Sequence, residues 1–210
     1  MSRILRGAVA TALLAAPLIA VAHHAEGYAT PGTPIAGMLS GLAHPAIEIG
    51  QLAFLLALGV LCAGAPSGVR PVARFVAGSA LGVAAAAAGW SVPAEPLLPL
   101  LLLGIAALLA WRGAGAASAA PAAVGALLVA GFVHGQAAIE PMGAAAMGPF
   151  AAYAAAMLAT QCAIVLATRA AIVRLVPADG HARRWGTGVT AAAAGLAAIA
   201  VALQPGLSLV

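Results

Sequence analysis

Residues 37–63 read GMLSGLAHPAIEIGQLAFLLALGVLCA. The stretch carries one imidazole, His44, one carboxylate, Glu48, and one side-chain amide, Gln51; beyond Gln51 every residue is apolar. About 20 apolar residues, rising 1.5 Å each, cross a hydrocarbon core ~30 Å thick. The run therefore predicts a membrane-spanning helix, irregular at His44-Pro45 because proline has no N–H to give the preceding turn. The rest of the chain repeats the pattern. Hydrophobic residues make up 64% of 210 and charged residues only 7%, against about 25% charged in a soluble domain. Nine basic and five acidic side chains cannot coat a water-facing surface, so lipid is the solvent for most of the protein.

Outward from this stretch, the N-terminus has the three parts of a signal peptide. Arg3 and Arg6 are the charged region, Gly7 to Ala20 is apolar, and Ala20-Val21-Ala22 is an Ala-x-Ala cleavage site. Cleavage after Ala22 leaves residues 23–210 as one transmembrane domain. Its spans are expected at Gly37–Ala63, Val72–Gly89, Pro96–Trp111, Ala117–Val133, Ala144–Ala167 and Gly186–Leu203. The fold class is thus all-α, a polytopic membrane bundle of six transmembrane helices after a cleaved signal peptide. Gly and Ala recur in these windows and let helix backbones approach closely where lipid gives no hydrophobic drive between helices.

The charges order the topology. With the mature N-terminus outside, Arg70, Arg74, Arg112, Arg169, Arg174, Arg183 and Arg184 all fall inside, while Glu26, Glu48, Glu95 and Glu140 fall outside and only Asp179 falls inside. This positive-inside pattern predicts a bacterial inner-membrane protein with both mature termini periplasmic. Trp90, Trp111 and Trp185 stand at span ends as interface anchors. The scattered arginines make no basic stripe, which excludes nucleic acid as a partner. Cys62 and Cys162 lie in apolar runs and read as two buried thiols. There is no P-loop, no Gly-x-Ser-x-Gly and no soluble catalytic domain, so an enzyme is not expected. A zinc hydrolase would need three protein ligands and a base, consuming every candidate group at once.

Ionisable groups in a membrane span are expensive and mark function. Two clusters face the outer side. One is His44, Glu48 and Gln51, which share a face if the helix runs through Pro45. The other is His134, Gln136 and Glu140 at the end of span four. Imidazole with carboxylate suits nickel, cobalt, zinc or copper(II), and the nearby thioethers of Met38, Met142 and Met147 would favour copper(I). The metal ligands expected are His44, Glu48, His134 and Glu140, with Gln51 and Gln136 as neutral supporting groups. Each also has a structural reading: His44 as a helix cap, His134-Gly135 as a helix end, Glu140 as a loop acid. His23 and His24 would follow the cleavage site, where a free amine beside imidazole chelates copper(II), or where a polar terminus is simply solvated.

These residues carry a family resemblance. The signal peptide ending at a histidine, Gly41-Leu-Ala-His44-Pro45, Pro93-Ala-Glu95-Pro96, and Phe132-Val-His134-Gly135 with Glu140-Pro141 resemble the HupE/UreJ family. The resemblance implies a small six-span membrane protein concerned with nickel or cobalt uptake. His44 and Pro45 keep the first motif, but Glu48, Gly50 and Gln51 stand where that family has Gly, Asp and His. Of the second motif His134, Gly135 and Glu140 are kept, and Ala138 and Ile139 replace His and Gly. The expected function is transition-metal uptake across the inner membrane. The alternative is an accessory or metal-delivery subunit, held to a membrane partner or a second copy through Gly/Ala faces.

Overall fold

The computed structural model describes residues 30–63, 69–113, 122–143, 145–176, 190 and 192–195, and among these there are helices and no strands. The elements are α1 (Pro34–Ile47), α2 (Ile49–Ala63), α3 (Val69–Ala87), a 3-10 turn (Glu95–Leu97), α4 (Leu98–Gly113), α5 (Ala122–Ile139), a second 3-10 turn (Glu140–Met142) and α6 (Met147–Leu175). Two of them, α3 and α6, are long and apolar enough to cross a membrane, and α1 with α2 makes a third if the bent pair is one span. Helices α4 and α5 fall on the third and fourth expected windows as shorter apolar helices. The signal peptide, Ala22, His23, His24, Glu26, Asp179, His181, Arg183, Arg184 and Trp185 lie outside the described residues. Of the sixth window, Thr190 and 192–195 are described and helical, and Ala194 joins the central apolar cluster.

Local chemistry sets the helix ends. Thr33 caps α1, its hydroxyl accepting from the Ala36 N–H at 3.2 Å, and Pro34 fits the first turn because that N–H would be unsatisfied anyway. Gly89, at φ 82°, ends α3. The Trp90 N–H then reaches Ala85 O at 2.8 Å and the Gly89 N–H reaches Ala86 O at 2.9 Å, closing the orphan carbonyls of the last turn. The first span breaks at Glu48, three residues after the expected position. Pro45 is tolerated inside α1; the backbone leaves the helix at Glu48 (φ −79°, ψ 107°), and α2 sets off at 70° to α1.

Glycines mate the helices in two pairs. A Cβ on Gly37 or Gly41 of α1 would overlap the backbone oxygen of Pro149 or Tyr153 of α6. Farther along the same pair, one on Gly59 of α2 would strike Thr168. Both partners advance together along their sequences, so the first span and α6 run parallel. Between α3 and α5 the fit is mutual: Gly78 and Gly82 lie against Leu128 and Phe132, and Gly131 and Gly135 lie against Phe75 and Ser79. These two helices are also parallel. Parallel pairs require the elements between them to run back the other way. The start of α3 carries Arg70 and Arg74 and the end of α6 carries Arg169 and Arg174, so the described arginines with defined side chains lie toward one end of the bundle.

This close approach gives the first prediction. Gly131→Val would drive a side chain into the Phe75 carbonyl oxygen, an overpacking cost of about 3 kcal/mol. Gly104→Val in α4 meets open space and should change stability by less than about 0.5 kcal/mol. Thermal unfolding of the two purified variants in one detergent measures the difference; equal midpoints would refute the mating.

Candidate functional site

His44 lies ten residues into α1, about 15 Å from the helix start, and is 7% exposed. It therefore sits within the bundle and is not a surface cap. The helix does not persist through Glu48, so the shared-face argument for His44, Glu48 and Gln51 gives way to a different geometry. The 70° bend folds α2 back, and the Gln51 amide N–H donates to His44 Nε2 at 3.0 Å. The His44 ring meets Tyr153 of α6 edge-on, centroids 5.8 Å apart. Tyr153 OH in turn donates to Ala138 O of α5 at 2.7 Å. Glu48 is half-buried at the break itself.

His134 is fully buried. Helix α5 runs on past Gly135 to Ile139, so His134-Gly135 is not a helix end; Gly135 serves the crossing with α3. The His134 ring packs against Phe54 (5.1 Å) and Phe75 (5.4 Å), which stack on each other at 5.5 Å. Neither ring nitrogen of His134 has a hydrogen-bond partner. A buried polar atom left in this way costs about 1–3 kcal/mol. One turn along α3 from Phe75, the Ser79 hydroxyl donates to Gln161 Oε1 of α6 at 2.9 Å, with both residues fully buried. Ser79 was not singled out from the sequence. Its signal was a lone hydroxyl between Gly78 and Gly82 on the packing face.

Near the C-terminal end of α5, Gln136 acts as a latch. Its Nε2 donates to Gly82 O (2.8 Å) and Trp90 O (3.0 Å), and its Oε1 accepts from the Val92 N–H (3.1 Å). It thus pins the chain after α3 against the end of α5. Beside it opens a cleft of about 640 Å³, whose lining includes Glu140, Met142, Met147 and Phe150. Glu140 is exposed in the second 3-10 turn. The four expected ligands thus occupy different levels, His44 and His134 inside, Glu48 at the break, Glu140 at the mouth. Among the described residues no three His, Cys, Asp or Glu side chains form one metal-binding group.

A family model described as "HupE / UreJ protein" matches residues 11–198. No curated protein and no solved structure matches the chain.

The latch makes a prediction. Gln136→Leu removes three hydrogen bonds, together worth about 2 kcal/mol, and frees the chain after Gly89. Hydrogen exchange at the Val92 amide should quicken on the order of 30-fold. An unchanged rate would show that the loop is held by other contacts.

Proposed function

Because the chain belongs to the HupE/UreJ family, we propose that it passes a transition-metal cation from periplasm to cytoplasm across the bacterial inner membrane. The observation that supports this most is the pair of partnerless ring nitrogens on a fully buried His134. Imidazole is a ligand for nickel, cobalt, copper and zinc alike, and the family resemblance favours nickel or cobalt. In this reading the mature protein is residues 23–210, six spans with both termini periplasmic, and it is a carrier and not an enzyme.

The levels at which the ligands stand suit passage. A four-ligand cage would hold a cation; a conducting path binds well enough to admit it and weakly enough to release it. Glu140, beside the outer cleft, would receive the cation, Glu48 and His44 would take it at the helix break, and His134 would hold it between the phenylalanines. Broken helices at membrane depth commonly serve ions in this way. Gln51 occupies His44 Nε2, so it must swing aside when that nitrogen binds metal; Gln136 fixes the mouth. His23 and His24 would add a copper(II)-binding terminus outside. Residues 1–210 carry no P-loop, so the movement they would support is secondary transport or facilitated diffusion.

A second reading is favoured by the Gln51–His44 bond and the mated glycines, which close the interior: a membrane accessory subunit that delivers or senses metal for a partner or a second copy. Accumulation of nickel, cobalt, copper and zinc in cells decides between them. Cells with the wild type should exceed cells with His44→Ala plus His134→Ala for at least one metal. No difference for any metal would refute passage through this site. Gln51→His, which adds an imidazole and frees His44, should lower the half-saturating nickel concentration by about tenfold.

A further inference from the structure

Buried polar side chains, linked through Phe54, Phe75 and single or double turns along the helices, form a circuit through five helices. Tyr153 of α6 touches His44 of α1, and His44 is bonded to Gln51 of α2. Gln51 stands one turn before Phe54, which packs on His134 of α5. His134 packs on Phe75 of α3, one turn before Ser79, and Ser79 is bonded to Gln161. Gln161 lies two turns along α6 from Tyr153, on the same face. Lipid offers no hydrogen bonds to such groups, and Gln51, Ser79, His134 and Gln161 are each no more than 2% exposed.

Four polar atoms of this circuit have no partner: Gln51 Oε1, both ring nitrogens of His134, and Gln161 Nε2. Their chemistry specifies the guest. Gln51 Oε1 accepts and Gln161 Nε2 donates; neutral imidazole presents one donor and one acceptor. A bare cation would serve the acceptors and repel the N–H groups, and an anion would do the reverse. Water does both, and buried waters typically make about three hydrogen bonds to groups otherwise unsatisfied.

We propose that Gln51, Ser79, His134 and Gln161 enclose an internal water site in the bundle, and that the cargo cation passes it carrying part of its hydration shell. The second clause rests on the uptake reading; the first does not. Ser79 acts as a positioning residue, holding the Gln161 amide so that Nε2 remains free to donate. A partly hydrated cation needs fewer protein ligands at each level, consistent with the spread of His44, Glu48, His134 and Glu140.

X-ray hydroxyl-radical labelling of the full chain in nanodiscs, without metal, tests the site, because radicals form on bound water. Normalised for intrinsic reactivity, Phe54, Phe75 and Met157 should be modified on the order of tenfold faster than Cys62. Cys62 is equally buried but lies about 16 Å along the helix from Gln51. Gln161→Leu should bring the three rates down to that of Cys62. Ser79→Ala, which removes one hydroxyl, should lower them partly and serves if the leucine variant fails to fold. Rates at Cys62 level in the wild type, or rates unmoved by both variants, overturn the water site. A dry interior in a chain that accumulates metal would remove this proposal and leave the uptake reading intact. Labelling in a chain that accumulates none would uphold the water site and remove the uptake reading together with the hydrated passage that rests on it.

Discussion

The backbone of one helix lies against the backbone of another at Gly37, Gly41, Gly78, Gly82, Gly131 and Gly135, and the rest of the structure depends on that contact. In lipid, apolar side chains gain little by leaving the solvent, so helices associate through close van der Waals contact and polar bonds. The absent Cβ atoms permit the approach. Because the glycines recur four residues apart, the contacts run as a stripe along each helix, and the pairs are held in parallel register. The α3–α5 contact places Ser79 beside Gly135, one residue from His134. The contact between α1 and α6 places His44 over Tyr153.

Tight mating also explains why polar groups here stand in a circuit and not in a single cage. Each crossing sets a glycine of one helix against the backbone of the other, so the large polar side chains lie beside the stripes and not in them. The 70° bend at Glu48 then decides which groups of the first span meet. A straight helix would set His44 beside Glu48; the bend sets it against Gln51. The Gln51 amide then bonds His44 Nε2.

Much of this was legible in the sequence. The scarcity of charge pointed to the membrane, and the single histidines in apolar runs pointed to two side chains that the fold buries. Helix α5 was expected to stop near His134-Gly135, because glycine often ends helices, yet here its missing side chain serves a crossing. Gln51 and Ser79 were harder to value. An amide gains its role from a bend whose angle no spacing rule supplies, and a lone serine gains its role from a partner 82 positions away. The glycines were recognised as packing residues, but their partners follow only from the three-dimensional register.

In the uptake reading the buried histidines hold the cation. X-ray absorption at the nickel edge of the purified, nickel-loaded protein tests this most directly. The expected spectrum shows outer-shell imidazole scattering together with oxygen donors, and the imidazole scattering is lost when both His44 and His134 are replaced by Ala. Imidazole scattering that persists in that double variant would place the metal on other histidines, and oxygen-only coordination in the wild type would contradict the claim outright.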